Sequence, residues 1–236
     1  MLRFPQLEQF GITAAISGKE EGDCGARTRT PHDRKAFLDA LGLGASPLHV
    51  PAQVHGHNVL LVGAESPCYE ADGVVTMETG LTLGVTVADC VPLLFFAPDI
   101  PAVAAAHAGR EGTFPEISRM MADLGRGGIF ISIAQWTIKH LQILGADPSL
   151  IHAVIGPSAG PCCYEVSEEM AEAWRQAGLP VAGRNLDLWG ANKAQLLASG
   201  LLPENIHTSG ICTIDFHSLR GGSATARNLA VIHLHG

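Results

Sequence analysis

The chain has 236 residues, 47% of them hydrophobic and 16% charged, which is enough to bury an ordinary core in one large domain. Its 15 Lys and Arg stand against 23 Asp and Glu, a formal charge of −8 that offers no sequence-wide field to a phosphate backbone, so nucleic acid is not an expected partner. Six cysteines, at positions 24, 68, 90, 162, 163 and 212, form neither a dense disulfide framework nor a CxxC pair, and thiols are their expected state.

The first residues, MLRFPQLEQFG, lack the basic start, apolar stretch and small-residue cleavage site of a secretory signal, so a cytosolic location is expected. Asp33 to Leu41 reads as a helix, and Ala71 to Thr76 as a strand. The most apolar window, Leu81 to Pro98, is broken by Asp89 and two prolines and falls short of the roughly 20 apolar residues of a membrane-spanning helix. It reads instead as a buried strand pair or a strand and turn, with one strand at Thr82 to Val87; no membrane partner is expected. Ala102 to Ala106 is another buried strand.

The segment EGTFPEISRMMADLGRGG, Glu111 to Gly128, is bracketed by glycines and reads as an inserted short helix, either a lid or a plain surface insertion. Ile133 to Leu144 is helical, and His152 to Ile155 is a strand that ends in the turn Gly156-Pro157-Ser158. Ser167 caps a helix with two acids in its first turn and a glycine after its last, and Leu188 to Ser199 is a helix stopped by Gly200. Strands and helices are mixed through the whole chain with no repeat and no low-complexity linker, which makes it an α+β protein with a single domain over 1–236.

Three short stretches carry candidate ligands: Gln53-Val54-His55-Gly56, Ala88-Asp89-Cys90 and His107-Ala108-Gly109. Ligands at strand ends converge even when far apart in sequence, and two imidazoles with one thiolate supply three of zinc's four positions, leaving one open for catalysis. On spacing alone, two satisfied histidines and a small buried cysteine have equal weight. Asp89 tips the balance toward a metal, because a carboxylate beside a buried cysteine needs hydrogen bonds or a charged neighbour.

Two further constellations stand out. The turn Gly156 to Glu165, with the vicinal pair Cys162-Cys163, exposes backbone N–H groups that suit an anion, although a purely structural turn has equal weight. Adjacent cysteines rarely meet disulfide geometry with each other. The stretch Asp215 to Arg220, followed by Arg227, offers a histidine and two arginines to a phosphate or a sugar, against the ordinary reading of solvated surface arginines.

Taken in order, the stretches QVHG (53–56), ADGVVT (71–76), TVADCVPLL (86–94), AAHAG (105–109), IGPSAGPCCYEV (155–166), LDLWGANKAQL (186–196) and CTIDFHSLRGGSATAR (212–227) resemble the YfiH family. That family was formerly called multicopper polyphenol oxidases and is associated with purine nucleoside chemistry. The resemblance implies a four-layer αββα sandwich, mixed sheets layered between helices, and zinc held by His55, Cys90 and His107. It implies phosphorolysis of adenosine, inosine and methylthioadenosine, and deamination of adenosine; for the latter, a zinc-activated water is the expected nucleophile and Asp89 the nearest candidate to move the proton. Nucleoside and phosphate are then the partners, placed by His217, Arg220 and Arg126, with Cys162 and Cys163 on the substrate side.

The chain departs from the family pattern in three places. Arg110-Glu111-Gly112 follows His107-Ala108-Gly109 where the family reads HAGWRG, so residues 110–126 are read as an insertion and Arg126-Gly127 as the displaced Arg-Gly pair. Ile16 to Gly22 lacks an expected arginine, with Lys19 as a point-charge substitute, and a C-terminal pair of arginines is reduced to Arg220-Gly221. Each change removes or relocates positive charge. They motivate the alternatives of a peptidoglycan-precursor editing hydrolase or a catalytically reduced binding protein. The old family name and the pairs His55-x-His57 and His233-x-His235 prompt a copper polyphenol oxidase, which needs more such pairs and a His-Cys-His electron-transfer site.

Overall fold

The computed structural model describes residues 1–25, 30–114, 131–213, 216–222 and 225–236. The strands are β1 (Leu2–Arg3), β2 (Ile12–Ile16), β3 (Leu48–His49), β4 (Val59–Leu61), β5 (Gly73–Thr76), β6 (Thr82–Val87), β7 (Val91–Ala97), β8 (Ala102–Ala108), β9 (His152–Ile155), β10 (Val181–Ala182), β11 (Asn185–Leu186), β12 (Ile206–Thr208) and β13 (Asn228–Leu234). The α-helices are α1 (Pro5–Glu8), α2 (Pro31–Ala40), α3 (Arg110–Thr113), α4 (Ile133–Ile143), α5 (Glu168–Gln176) and α6 (Leu188–Ala198). None of them is long and apolar enough to cross a membrane.

Two sheets carry the fold, one of five strands in the order β1-β2-β13-β6-β3 and one of six in the order β12-β9-β7-β8-β5-β4, beside a small β10-β11 ribbon. Side-chain alternation sorts their residues into layers. Leu94 and Phe96 of β7 and Val103 and Ala105 of β8 face Leu83, Val85, Ala230 and Ile232 of the other sheet. Their neighbours Leu93, Phe95, Ala104 and Ala106 face Ile138, Leu141, Trp174 and Leu196 of α4, α5 and α6. On the opposite outside, Leu229 and Val231 pack under Phe37 and Leu38 of α2. The result is the four-layer αββα sandwich with mixed sheets between helices.

The apolar window around Asp89 does contain two strands, but they do not form a hairpin. β6 lies in the five-stranded sheet and β7 in the six-stranded one, so Ala88-Asp89-Cys90 is the step from one sheet to the other. The segment between β3 and β4, which contains His55, makes the same crossing. Both crossings adopt left-handed backbone at a non-glycine residue, with φ of +63° at His55 and +94° at Asp89. Such conformations cost of order 1–3 kcal/mol and persist only where surrounding bonds hold them.

Helix ends follow their local chemistry. Ser132 accepts from Gln135 N–H while the Gln135 side chain accepts from Ser132 N–H, a reciprocal cap for α4. Ser167 caps α5 through Met170 N–H. The helix expected from Asp33 starts two residues earlier, because Pro31 fits the first turn, where its missing N–H is not needed. The expected strand at 102–106 runs on to Ala108, which places His107 inside β8. Of the expected insertion, α3 follows β8 directly, with Thr113 and Phe114 buried; residues 115–130 lie outside the described residues.

Candidate metal centre and cleft

His107 comes from β8 on the face shared with Val103 and Ala105, so alternation alone aims it between the sheets. His55 and Cys90 arrive from the two crossings at the same end. One ligand atom from each of the three residues falls within 4.8 Å of the other two, and the two imidazoles meet edge to face at 4.8 Å between centroids. Gly109 packs against all three, and a Cβ there would lie 3.2 Å from Cys90 Sγ.

Asp72, fully buried at the start of β5, organises this centre. Its Oδ1 accepts from His107 Nδ1 at 2.8 Å and from His55 N–H at 3.0 Å. Its Oδ2 accepts from Gly56 N–H at 2.7 Å and Val54 N–H at 3.2 Å. Because a carboxylate only accepts, His107 donates from Nδ1 and turns Nε2 toward the other ligands. This is the carboxylate–histidine arrangement that fixes a metal ligand's tautomer and raises its basicity. The same carboxylate holds the strained His55 loop. Gln53 secures that loop from its other side, with Oε1 accepting from Thr86 N–H at 2.7 Å and Nε2 donating to Thr86 O at 2.8 Å.

Electrostatics in the triad follow from this packing. Burial works to raise the Cys90 thiol, but hydrogen bonds and charge from His107 and His55 outweigh it and bring the thiol down to about 6. Burial would depress His107, yet Asp72 and Cys90 push it up to about 9. Each partner thus favours the charged form of the other. A thiolate and two imidazoles with an oriented carboxylate behind one of them are the donor set that zinc accepts, with a fourth position left open.

Asp89 is nearly buried, and its carboxylate is committed to three donors: Thr213 Oγ1 at 2.8 Å, Ser218 Oγ at 2.5 Å and Arg220 N–H at 3.1 Å. It fastens the C-terminal loop to the Cys90 crossing. His217 donates from Nε2 to Gly22 O at 2.9 Å, and its backbone N–H is bound by Asn228 Oδ1 at 3.0 Å. The Arg220 guanidinium stacks 4.3 Å over the Tyr164 ring. Burial and the Cys90 charge raise the Tyr164 hydroxyl, while Arg110 and Arg220 oppose them. The Arg110 guanidinium itself is ion-paired with Glu111 at 2.5 Å. Arg126 lies outside the described residues.

A cleft of about 830 Å³ opens over the triad, with Arg34, Lys35 and Arg227 on its wall. His217, Arg220, Cys162 and Cys163 do not line it; the two cysteines lie beside Cys212. The structure brings the expected ligands His55, Cys90 and His107 to one place and adds Asp72, Gln53, Arg34 and Lys35, to which the sequence reading gave no role. Asp72 carries a weaker form of the Asp89 signal, a carboxylate at the edge of the apolar strand that follows it. Arg34 and Lys35 carry none, since a charged helix face normally meets only solvent. The His233-x-His235 pair is used internally: His233 Nδ1 is 2.9 Å from Thr82 Oγ1 and His235 Nε2 is 2.9 Å from Thr13 Oγ1.

The structure is a two-sheet sandwich in which two histidines and a cysteine that could hold a metal ion meet at one end of the sheets. The chain belongs to the family described as multi-copper polyphenol oxidoreductase laccase, whose model matches residues 17–235. A purine nucleoside phosphorylase of Deinococcus radiodurans is 38% identical over 86% of this chain and 76% of its own length. A protein from an unknown prokaryotic organism described as adenosine deaminase RL5 is 30% identical over 73% of this chain and 68% of its own. The crystal structure of YlmD from Geobacillus stearothermophilus superimposes with a TM-score of 0.75 at 28% identity, covering 96% of this chain and 93% of that one.

Proposed function

We propose that this protein is a zinc-dependent purine nucleoside phosphorylase. The observation that carries the reading is the cleft itself, which has the His55–Cys90–His107 centre at its floor and Arg34, Lys35 and Arg227 on its wall. Its volume suits a nucleoside with a small anion. Zinc, when bound, supplies Lewis acidity at one open position. His107, fixed by Asp72, and His55, fixed by its loop, orient that position. Arg34 and Arg227 hold hydrogen phosphate against the anomeric carbon, so that the glycosidic C–N bond breaks as the C–O bond to phosphate forms and the base leaves with the proton that the phosphate gives up. Asp89 and His217, committed to Thr213, Ser218 and Gly22, act as positioning residues for the loop that closes the site.

Deamination of adenosine at the same centre is the second reading, favoured by the relative described as an adenosine deaminase. One experiment separates them. Zinc-loaded protein is incubated with adenosine, with and without phosphate, beside Cys90→Ala. Adenine and ribose 1-phosphate formed only with phosphate, and lost in the variant, are the expected result. Inosine formed without phosphate selects deamination, and absence of both products overturns the nucleoside reading.

A further inference from the structure

Outside the centre just described, the described residues bring three metal-ligand side chains together at one other place, the sulfurs of Cys162, Cys163 and Cys212. The first two are consecutive on the turn after β9, and the third comes from the segment after β12. Backbone bonds weld these segments, with Ser158 N–H donating to Ile211 O and Thr213 N–H to Ser158 O, each at 3.2 Å. Cys163 Sγ and Cys212 Sγ approach to 3.0 Å, and all three sulfurs lie within 4.8 Å of one another.

A cysteine is ordinarily explained as a small hydrophobe. Cys162 and Cys163 are exposed, and none of the three belongs to a hydrophobic core cluster, so that explanation is missing. Burial and the Cys212 sulfur push the Cys163 thiol up to about 12, because two sulfurs this close do not tolerate charge on both. A cation between them reverses that repulsion. Zinc binds thiolates at about 2.3 Å, so three sulfurs around one ion stand about 4 Å apart, which lies inside the present spread.

We propose that Cys162, Cys163 and Cys212 form a second, all-thiolate site for a soft or borderline cation of the zinc or copper(I) class, distinct from the His55–Cys90–His107 centre. Three sulfurs and an open position toward solvent suit such ions better than hard ones. Binding would join the 158–164 turn to the 211–213 segment, whose Thr213 holds the Asp89 carboxylate beside Cys90. The second site would therefore clamp the back of the first.

The test is a titration of reduced, metal-free Cys90→Ala protein with Cd²⁺, which leaves the proposed site unaltered. Sulfur-to-cadmium charge-transfer absorption is expected to saturate at one equivalent with the amplitude of three thiolates. Wild type should take two equivalents with the amplitude of four. Cys162→Ser/Cys163→Ser should lose the three-thiolate component and keep the single-thiolate one. Cys90→Ala protein that develops no charge-transfer band overturns the proposal. So does freshly isolated protein whose peptide map shows Cys163 joined to Cys212, with two thiols recovered on reduction, since the cluster would then be a disulfide pair.

Discussion

Replacing Asp72 with asparagine is the sharpest test of how this centre is built. Each carboxylate oxygen accepts two hydrogen bonds, Oδ1 from His107 and His55 and Oδ2 from Val54 and Gly56. An amide offers only one oxygen. Whichever way it turns, an NH₂ group faces two N–H donors, and two bonds are lost at a fully buried position. Hydrogen bonds to a charged group contribute about 1.5–3 kcal/mol each, so the lost pair costs roughly 3–6 kcal/mol of local stability before relaxation. Turning the amide to spare His107 and the His55 N–H abandons Val54 and Gly56 on either side of His55, and turning it to spare those two frees the His107 ring and the His55 N–H. Either way a ligand is mispositioned, and loss of such a carboxylate weakens metal binding about 10- to 100-fold. Zinc affinity by chelator competition and thermal melting of metal-free protein read the two effects separately. If Asp72→Asn binds zinc within twofold of wild type, Asp72 does not orient the ligands and the reasoning fails.

Gly109→Ala should weaken zinc binding with little change in fold stability, because φ of −74° accepts any residue while the new methyl presses on Cys90 Sγ; unchanged zinc affinity would mean that the triad yields freely. In metal-free protein, alkylation of Cys90 should fall away as pH drops through about 6, and not near the ordinary thiol value of 9.0, because His107 and His55 hold the thiolate; peptide mapping of iodoacetamide labelling against pH reads the midpoint directly. Arg34→Gln and Arg227→Gln should each raise the KM for phosphate by about 10-fold or more with a smaller effect on the nucleoside KM; equal effects on both would remove them from the phosphate subsite. Asp89→Asn leaves one oxygen for three donors, so melting temperature and kcat should fall while the pH profile of kcat keeps its shape; loss of one limb of that profile would make Asp89 a proton carrier.

What could be read from the sequence follows from what is local. Strands β5, β6, β8 and β9 announce themselves as short β-rich runs, and α5 through its serine cap and acidic first turn, because neighbouring residues determine those features. The pairing of β13 with both β2 and β6 is a decision of the whole fold. Neither terminal strand stood out, since Ile12–Ile16 and Asn228–Leu234 are buried on both faces and show no alternation. The convergence of His55, Cys90 and His107 was legible only through residue type and family resemblance, because it depends on two crossings that meet one strand end.

The same geometry explains why the site could not be placed more finely from sequence. Chains that step between two packed sheets cannot continue either hydrogen-bond ladder, so their backbone groups at the crossing need other partners. Here Asp72 supplies them for Val54, His55 and Gly56, and Asp89 O accepts from Ala159 N–H at 2.8 Å. Both carboxylates are therefore bound up in holding strained turns, and a sequence cannot distinguish that duty from proton transfer. Asp89 was read as a reacting group because it neighbours a ligand. Its carboxylate also anchors Thr213, Ser218 and Arg220 through three hydrogen bonds. A shift of that anchor reaches Cys90 through one peptide bond, so residues distant from the triad, Cys212 among them, gain a direct mechanical route to His55, Cys90 and His107.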